Sequence, residues 1–281
     1  MNSGDYLVFA SQIVQLSNQL YQIKYNKAKK SIYGISYDYY VLNTINKLLA
    51  LIVSLNYTYN STIIMQYKAR YPVHSLAVIS PIIIIIDCGL LLTNGLILSQ
   101  LFIIYARTKN VNQNVSGFNM LFLSFLLGGF LIVSKYYWFA ELTFNYLDLI
   151  NYLWLVSWLI AIVELCPQLV MNWFDDCCVG LHPQWLSFEI ISLILNLTGW
   201  SMINLHFNVP WYQLPINYHG WCYLVMRSIL LIIFSLQQFK CYKGKRPTLE
   251  LYYYRGVSSI EGVEEEDEIE QMMVEDHHVQ V

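Results

Sequence analysis

The sequence is short of charge. Only 12% of its 281 residues are Asp, Glu, Lys or Arg, while 56% are hydrophobic; a typical soluble domain carries about 25% charged residues. The charge that exists sits in blocks. Glu264, Glu265, Glu266, Asp267 and Glu268 crowd the end of the chain, and Lys24, Lys27, Lys29 and Lys30 form a short basic cluster. Long intervals between the blocks are almost uncharged. This excludes an ordinary water-soluble globule and a nucleic-acid-binding surface, and it predicts an integral membrane protein with an acidic tail.

Other signals are missing too. The six cysteines follow neither a disulfide framework nor a zinc spacing; Cys88, Cys166 and Cys222 lie in apolar runs and read as small hydrophobes. The histidines show no metal-ligand spacing. There is no P-loop, dinucleotide fingerprint, nucleophile elbow or zinc-protease helix, so neither an enzyme nor a resident cofactor is expected. The first apolar run lacks a basic leader, so a cleavable signal peptide is not expected.

What is present is a series of apolar stretches long enough to cross hydrocarbon, which takes about 20 residues. Seven segments qualify, near 5–24, 38–56, 77–105, 118–138, 147–172, 185–206 and 217–239. The first is the most polar, and Pro81 predicts a kink in the third. Lys24 to Lys30, Arg107 with Lys109, and Lys240 to Arg246 follow spans one, three and seven. Basic loops stay on the cytosolic side, so the N-terminus is expected in the lumen and the tail in the cytosol. The block 263–270 is a like-charge run expected to lack fixed structure, and Tyr254-Arg255-Gly256-Val257 fits a tyrosine-based signal for sorting adaptors.

Two stretches repeat one another. Gln22, Asn26 and Gly34 recur with identical spacing as Gln168, Asn172 and Gly180, and each glycine is followed by another apolar span. The next span holds Asn43-Thr44 in one copy and Asn196-Leu197-Thr198 in the other. Aligning the asparagines needs seven extra residues; without a gap, Glu189 falls opposite Asn43. Seven residues are close to two helical turns, so Glu189 and Asn196 share a helix face under either alignment. Parallel repeats place a binding site near the midplane between the halves.

"CPQLVMNW" (166–173) resembles the signature of the PQ-loop family, and "KSIYGISYDYYVLNT" (30–44) and "QQFKCYKGKRP" (237–247) are similar to segments of its cystinosin-like members. The resemblance implies an all-α integral membrane protein of seven transmembrane helices, with two parallel three-helix bundles joined by a linker helix (3-1-3). Residues 1–105 would form the first repeat, 106–146 the linker with the fourth helix, 147–240 the second repeat and 241–281 the cytosolic tail. It further implies a proton-coupled exporter of an amino acid, L-cystine foremost, from a lysosome or vacuole. The first motif here reads Tyr21-Gln22 rather than Pro-Gln, and Glu164 stands where the resemblance puts a lysine. The alternatives are a carrier of cationic amino acids, which Glu164 would suit, and a receptor or trafficking protein on the same fold.

Within that frame, Pro167 is a candidate hinge, because it withholds the amide that the carbonyl of Val163 needs. Gln22, Gln168, Asn43 and Asn196 are candidate substrate contacts; helix–helix bonding is the competing reading for each. Charges inside the membrane cost roughly 2.5–3.5 kcal/mol at a helix centre, so Lys47, Asp87, Glu164, Glu189 and Arg227 should face inward and pair, Asp87 with Arg227 for example. Glu189, then Glu164 and Asp87, are candidate proton carriers. Asp38 reads as a helix cap or a loop anchor. The expected partners are the amino acid, protons and membrane lipid.

Overall fold

A computed structural model describes residues 3–72, 81–109, 113–139, 144–207, 221–243 and 245. All lie in one compact unit, Met1–Thr248. The described residues form nine α-helices: α1 (Ser3–Lys29), α2 (Tyr37–Tyr59), α3 (Ser61–Arg70), α4 (Pro81–Ser99), α5 (Gly117–Phe139), α6 (Tyr146–Val163), α7 (Cys166–Phe174), α8 (Trp185–Phe207) and α9 (Trp221–Leu236). The tyrosine-based sorting motif and the acidic block 263–270 lie outside the described residues.

Local chemistry sets the boundaries. Ser36 caps α2, its hydroxyl accepting from the Tyr39 amide at 3.3 Å. Asn60 ends α2 and caps α3, its Oδ1 accepting from the Thr62 amide at 3.0 Å, and the two helices meet at 81°. Asn145 and Asp148 form a capping box at the start of α6. Pro81 is the first residue of α4, and the residues before it, where the expected kink would show, lie outside the described residues. Pro167 breaks a span as expected: α6 ends at Val163, α7 starts at Cys166, and the pair reads as one apolar stretch from Tyr146 to Phe174. Its counterpart Tyr21 lies within the unbroken α1. α4 and α9 both end in a five-residue π-helical turn, Gln100–Ile104 and Gln237–Cys241.

Five helical stretches are long and apolar enough to cross a membrane, and the bent pair α2–α3 is a sixth if taken as one span. α5 is the most lipid-like, with Phe118, Leu121 and Phe125 all exposed. α1 is absent from this set because its polar residues point inward. Ser11, Asn18, Gln22 and Asn26 lie on one face and are buried, while Ile13, Leu20 and Tyr21 are exposed. α1 lies against α8 and α4, α2 against α6 and α4, and α5 against α6. Apolar clusters flank the polar interior at both ends. One joins Ile32, Ile35, Tyr39, Leu165, Trp185 and Phe234; the other joins Val53, Tyr57, Ile63, Tyr67 and Leu147.

Candidate functional site

The repeated glutamines meet each other's half of the molecule. Gln22 Nε2 donates to Asn26 Oδ1 (2.7 Å) and to the Gly180 carbonyl (3.1 Å), and its Oε1 accepts from the His182 amide (3.0 Å). Gln168 repeats this set. It donates to Asn172 Oδ1 (3.0 Å) and the Gly34 carbonyl (2.9 Å), and accepts from the Ser36 amide (2.9 Å). The pattern extends outward. Asn26 Nδ2 donates to Gln100 Oε1 (2.9 Å) and Asn172 Nδ2 to Gln237 Oε1 (3.1 Å). Gln100 and Gln237 in turn donate to the carbonyls of Ile23 and Leu169. Each pair from 22 and 168 to 36 and 182 keeps a constant spacing of 146 residues. Both glutamines are 0% exposed. Gly34, in a left-handed conformation (φ 79°), and Gly180 touch backbone to backbone, and a Cβ on Gly180 would fall 2.1 Å from the Gly34 carbonyl.

Midway along the helices lies an ion cluster. Arg227 Nη2 donates to Glu189 Oε2 at 2.7 Å and Nη1 to Glu164 Oε1 at 3.3 Å, all three groups buried. Asn18 Nδ2 donates to Glu189 Oε1 (2.9 Å), and Asn46 Nδ2 to Glu164 Oε2 (3.1 Å). Ser157 donates to Asn46 Oδ1 (2.6 Å), while Ser11 bonds Ser192 (3.0 Å). These pairs also obey the spacing of 146, with Ser11 matching Ser157 and Asn46 matching Ser192. The contacts therefore follow the ungapped alignment: Asn18 is the counterpart of Glu164, and Asn43 of Glu189. From Asn18 the chain continues to the loop before α8, where the His182 ring meets Asn18 Oδ1 at 2.6 Å. Burial presses the His182 pKa down to about 4.

Beyond the cluster, away from the glutamine layer, is a cavity of about 240 Å³, room for about eight waters at ≈ 30 Å³ each. Gln12, Gln15, Lys47, Asp87 and Asn196 line it. A void of about 30 Å³ next to it is lined by Asn43, Glu164, Glu189 and Arg227, and shares Gln15, Asn46, Lys47 and Tyr223 with the larger space. Gln12 Nε2 donates to Asp87 Oδ1 at 3.1 Å, and Lys47 Nζ to Gln15 Oε1 at 3.2 Å. Asn196 Oδ1 is buried without a hydrogen-bond partner.

The structure sorts the expected residues into three groups. Gln22 and Gln168 have their amides committed to the layer between the halves, so their bonds are the helix-joining kind. Asn43 faces the small void with its Oδ1 taken by Asn94 Nδ2 (2.7 Å), and Asn196 lines the cavity. The pairing of Asp87 with Arg227 is not found. Arg227 lies between Glu164 and Glu189, and Asp87 faces the cavity from α4. Glu189 and Asn196 are both buried, as their shared face required. Asp38 is a loop anchor. Its carboxylate accepts from the Ser116 amide and from Asn119 Nδ2 at the start of α5. Sequence reasoning gave no role to Asn18, Asn46 or Ser157; the ungapped spacing is the signal that marks them.

No family model matches the chain. It is similar to the uncharacterized protein YCL002C of Saccharomyces cerevisiae, 28% identical over 249 residues, covering 82% of this chain and 91% of that protein.

Proposed function

We propose that the protein is a proton-coupled carrier that moves an amino acid out of an acidic compartment, of the vacuolar or lysosomal kind, on a PQ-loop scaffold. In this reading α1, α2 with α3, and α4 form one three-helix bundle. α6 with α7, α8, and α9 form the other, and α5 is the linker of a 3-1-3 arrangement with α1 as the seventh span. The observation that carries it is the paired architecture. A polar cavity occupies one half of the helix bundle, and the other half is closed by a layer in which each copy bonds the other. A polar space in one half facing a bonded layer in the other, built from two like halves, is the arrangement alternating access starts from. The sealed end also carries the basic ends of α1, α4 and α9, which supports a cytosolic placement.

The charges support proton coupling. Three carboxylates and two cations occupy the middle of the bundle. Arg227 is shared by Glu164 and Glu189, and Asp87 makes no ion pair among the described residues. One proton then balances the count, and Glu164 and Glu189 hold Arg227 at the centre. Pro167 supplies the hinge of the second copy.

The test is uptake into proteoliposomes of the full chain under an imposed pH gradient, with radiolabelled amino acids, cystine and lysine among them. The reading expects accumulation of one of them that collapses when the gradient is dissipated. It also expects Asp87→Asn to lose pH-driven accumulation. Binding of an amino acid with no accumulation would replace the carrier by a receptor on the same fold.

A further inference from the structure

The cavity is not uniform along its length. α1 runs into the molecule from the cavity end, while α2 and α8 run out toward it, so residue order gives depth. On α1, Gln12 and Gln15 lie deeper than Val8. On α2, Lys47 lies deeper than Val53. On α8, Asn196 lies deeper than Trp200 and Ile203. The deep part therefore holds Gln12, Gln15, Lys47 and Asn196 beside Trp158, and the outer part is mainly apolar and aromatic, with Trp154 of α6 at the level of Val8 and Asp5 and Ser54 as its polar residues.

Two opposite charges face this deep part without closing on each other. Lys47 Nζ has three donors, and its one hydrogen bond is to Gln15; no carboxylate lies within ion-pair distance of it among the described residues. Asp87 accepts from Gln12 alone. The carboxylates deeper in are taken by Arg227. Three further atoms on residues that line the cavity are buried with nothing to bond, the Oε1 of Gln12, the Oδ1 of Asn196 and the indole nitrogen of Trp158. A buried polar atom left unpaired costs about 1–3 kcal/mol, a cost that a bound solute or ordered water offsets. Asp5, the charged group at the rim, has an interaction of its own.

We infer that the cavity binds a dipolar solute with a carboxylate at Lys47, an ammonium group at Asp87 and an apolar body toward the tryptophans: an α-amino acid with an apolar side chain. This rests on reading the cavity as the cargo site. Cystine fits it poorly, because its second amino and carboxylate groups would lie among Trp154, Trp200 and Val53.

Tryptophans in the wall make binding visible. The full chain in lipid nanodiscs is titrated with leucine, cystine, lysine and glutamate while its intrinsic fluorescence is followed. Leucine is expected to give a saturable change, lysine and glutamate a change at least tenfold weaker in affinity, and cystine likewise. Lys47→Met should weaken leucine at least tenfold, Lys47→Arg only a few-fold. Should Lys47→Met not fold, Asp87→Asn is expected to weaken leucine in its place. Tighter binding of cystine or lysine than leucine overturns the inference, as does silence toward all four, or a Lys47→Met chain that binds leucine like the wild type. The two readings fail separately. Leucine binding without pH-driven accumulation removes the carrier and leaves the site, whereas cystine accumulation without leucine binding does the reverse.

Discussion

The two halves of this molecule share a frame and differ in what they hang on it. At the sealed layer the copies are chemically equal: glutamine, asparagine and glycine sit at matched positions and make matched bonds. In the middle they diverge. Where the second copy has Glu164, Glu189 and Arg227, the first has Asn18 and Asn43 at the places of the two acids. The first copy instead puts its charges, Lys47 and Asp87, on the cavity wall. The second copy's ions pair with one another and leave one negative charge over, while Lys47 and Asp87 make no ion pair among the described residues. The repeat is kept at the joint and lost in the middle.

Breaking the second copy's ion cluster should have the largest effect. Arg227→Met leaves two carboxylates buried without their cation, and removing one partner of a buried ion pair costs about 3–5 kcal/mol. The expected outcome is a chain that fails to stay monodisperse in detergent or melts far below the wild type. Adding Glu164→Gln and Glu189→Gln to Arg227→Met should restore most of the lost melting temperature, since the amides keep hydrogen bonds and carry no charge. The same loss without recovery would mean that the arginine does more than neutralise.

The shared joint is tested next. A methyl at position 180 would sit 2.1 Å from the backbone of Gly34, which has no side chain to move aside. Gly180→Ala is therefore expected to cost about 1–3 kcal/mol, as overpacking does, and to part the layer. Cys177, three residues upstream and only 2% exposed, reports the parting. In a chain whose sole cysteine is Cys177, maleimide labelling should accelerate several-fold on Gly180→Ala. An unchanged rate with an unchanged melting temperature would show that the layer is not held by this contact.

Much of this was legible in the residues, and the part that was not has physical causes. Hydropathy gave the apolar helices, and the recurrence of Gln, Asn and Gly marked the joint before any contact was known. Hydropathy understates α1, because a helix that turns Ser11, Asn18, Gln22 and Asn26 inward scores as polar while its outer face is apolar. The choice between alignments was open because Asn43 can be matched to Asn196 or Glu189. Only contacts such as Ser157 to Asn46 and Ser11 to Ser192 select the ungapped one. The partner of Arg227 was out of reach because it depends on how α9 is rotated against α6 and α8, which no pattern within α9 encodes.

The smallest expected effect lies where the joint itself departs from equality. His182 occupies the place of Ser36, and each gives its amide to the opposite glutamine. Only the histidine adds a titratable ring, packed between Tyr21 and Phe188 and bonded to Asn18, which holds Glu189. Asn18 Oδ1 accepts and cannot donate, so Nε2 of the ring carries the proton. Burial lowers the His182 pKa from the usual 6.5 to about 4, although the charge of Glu189 pulls the other way. A lowered folded-state value means that the unfolded chain takes up this proton first. The contribution is fully present above about pH 6.5 and is lost as the pH falls toward 4. His182→Asn, which keeps a donor for Asn18 and removes the titration, should flatten the fall in melting temperature between pH 6.5 and 4 and leave the value at pH 7.5 nearly unchanged. Parallel melting curves for the two chains across that window would show that the ring gains its proton without cost, and that the one unequal position of the joint carries no pH dependence.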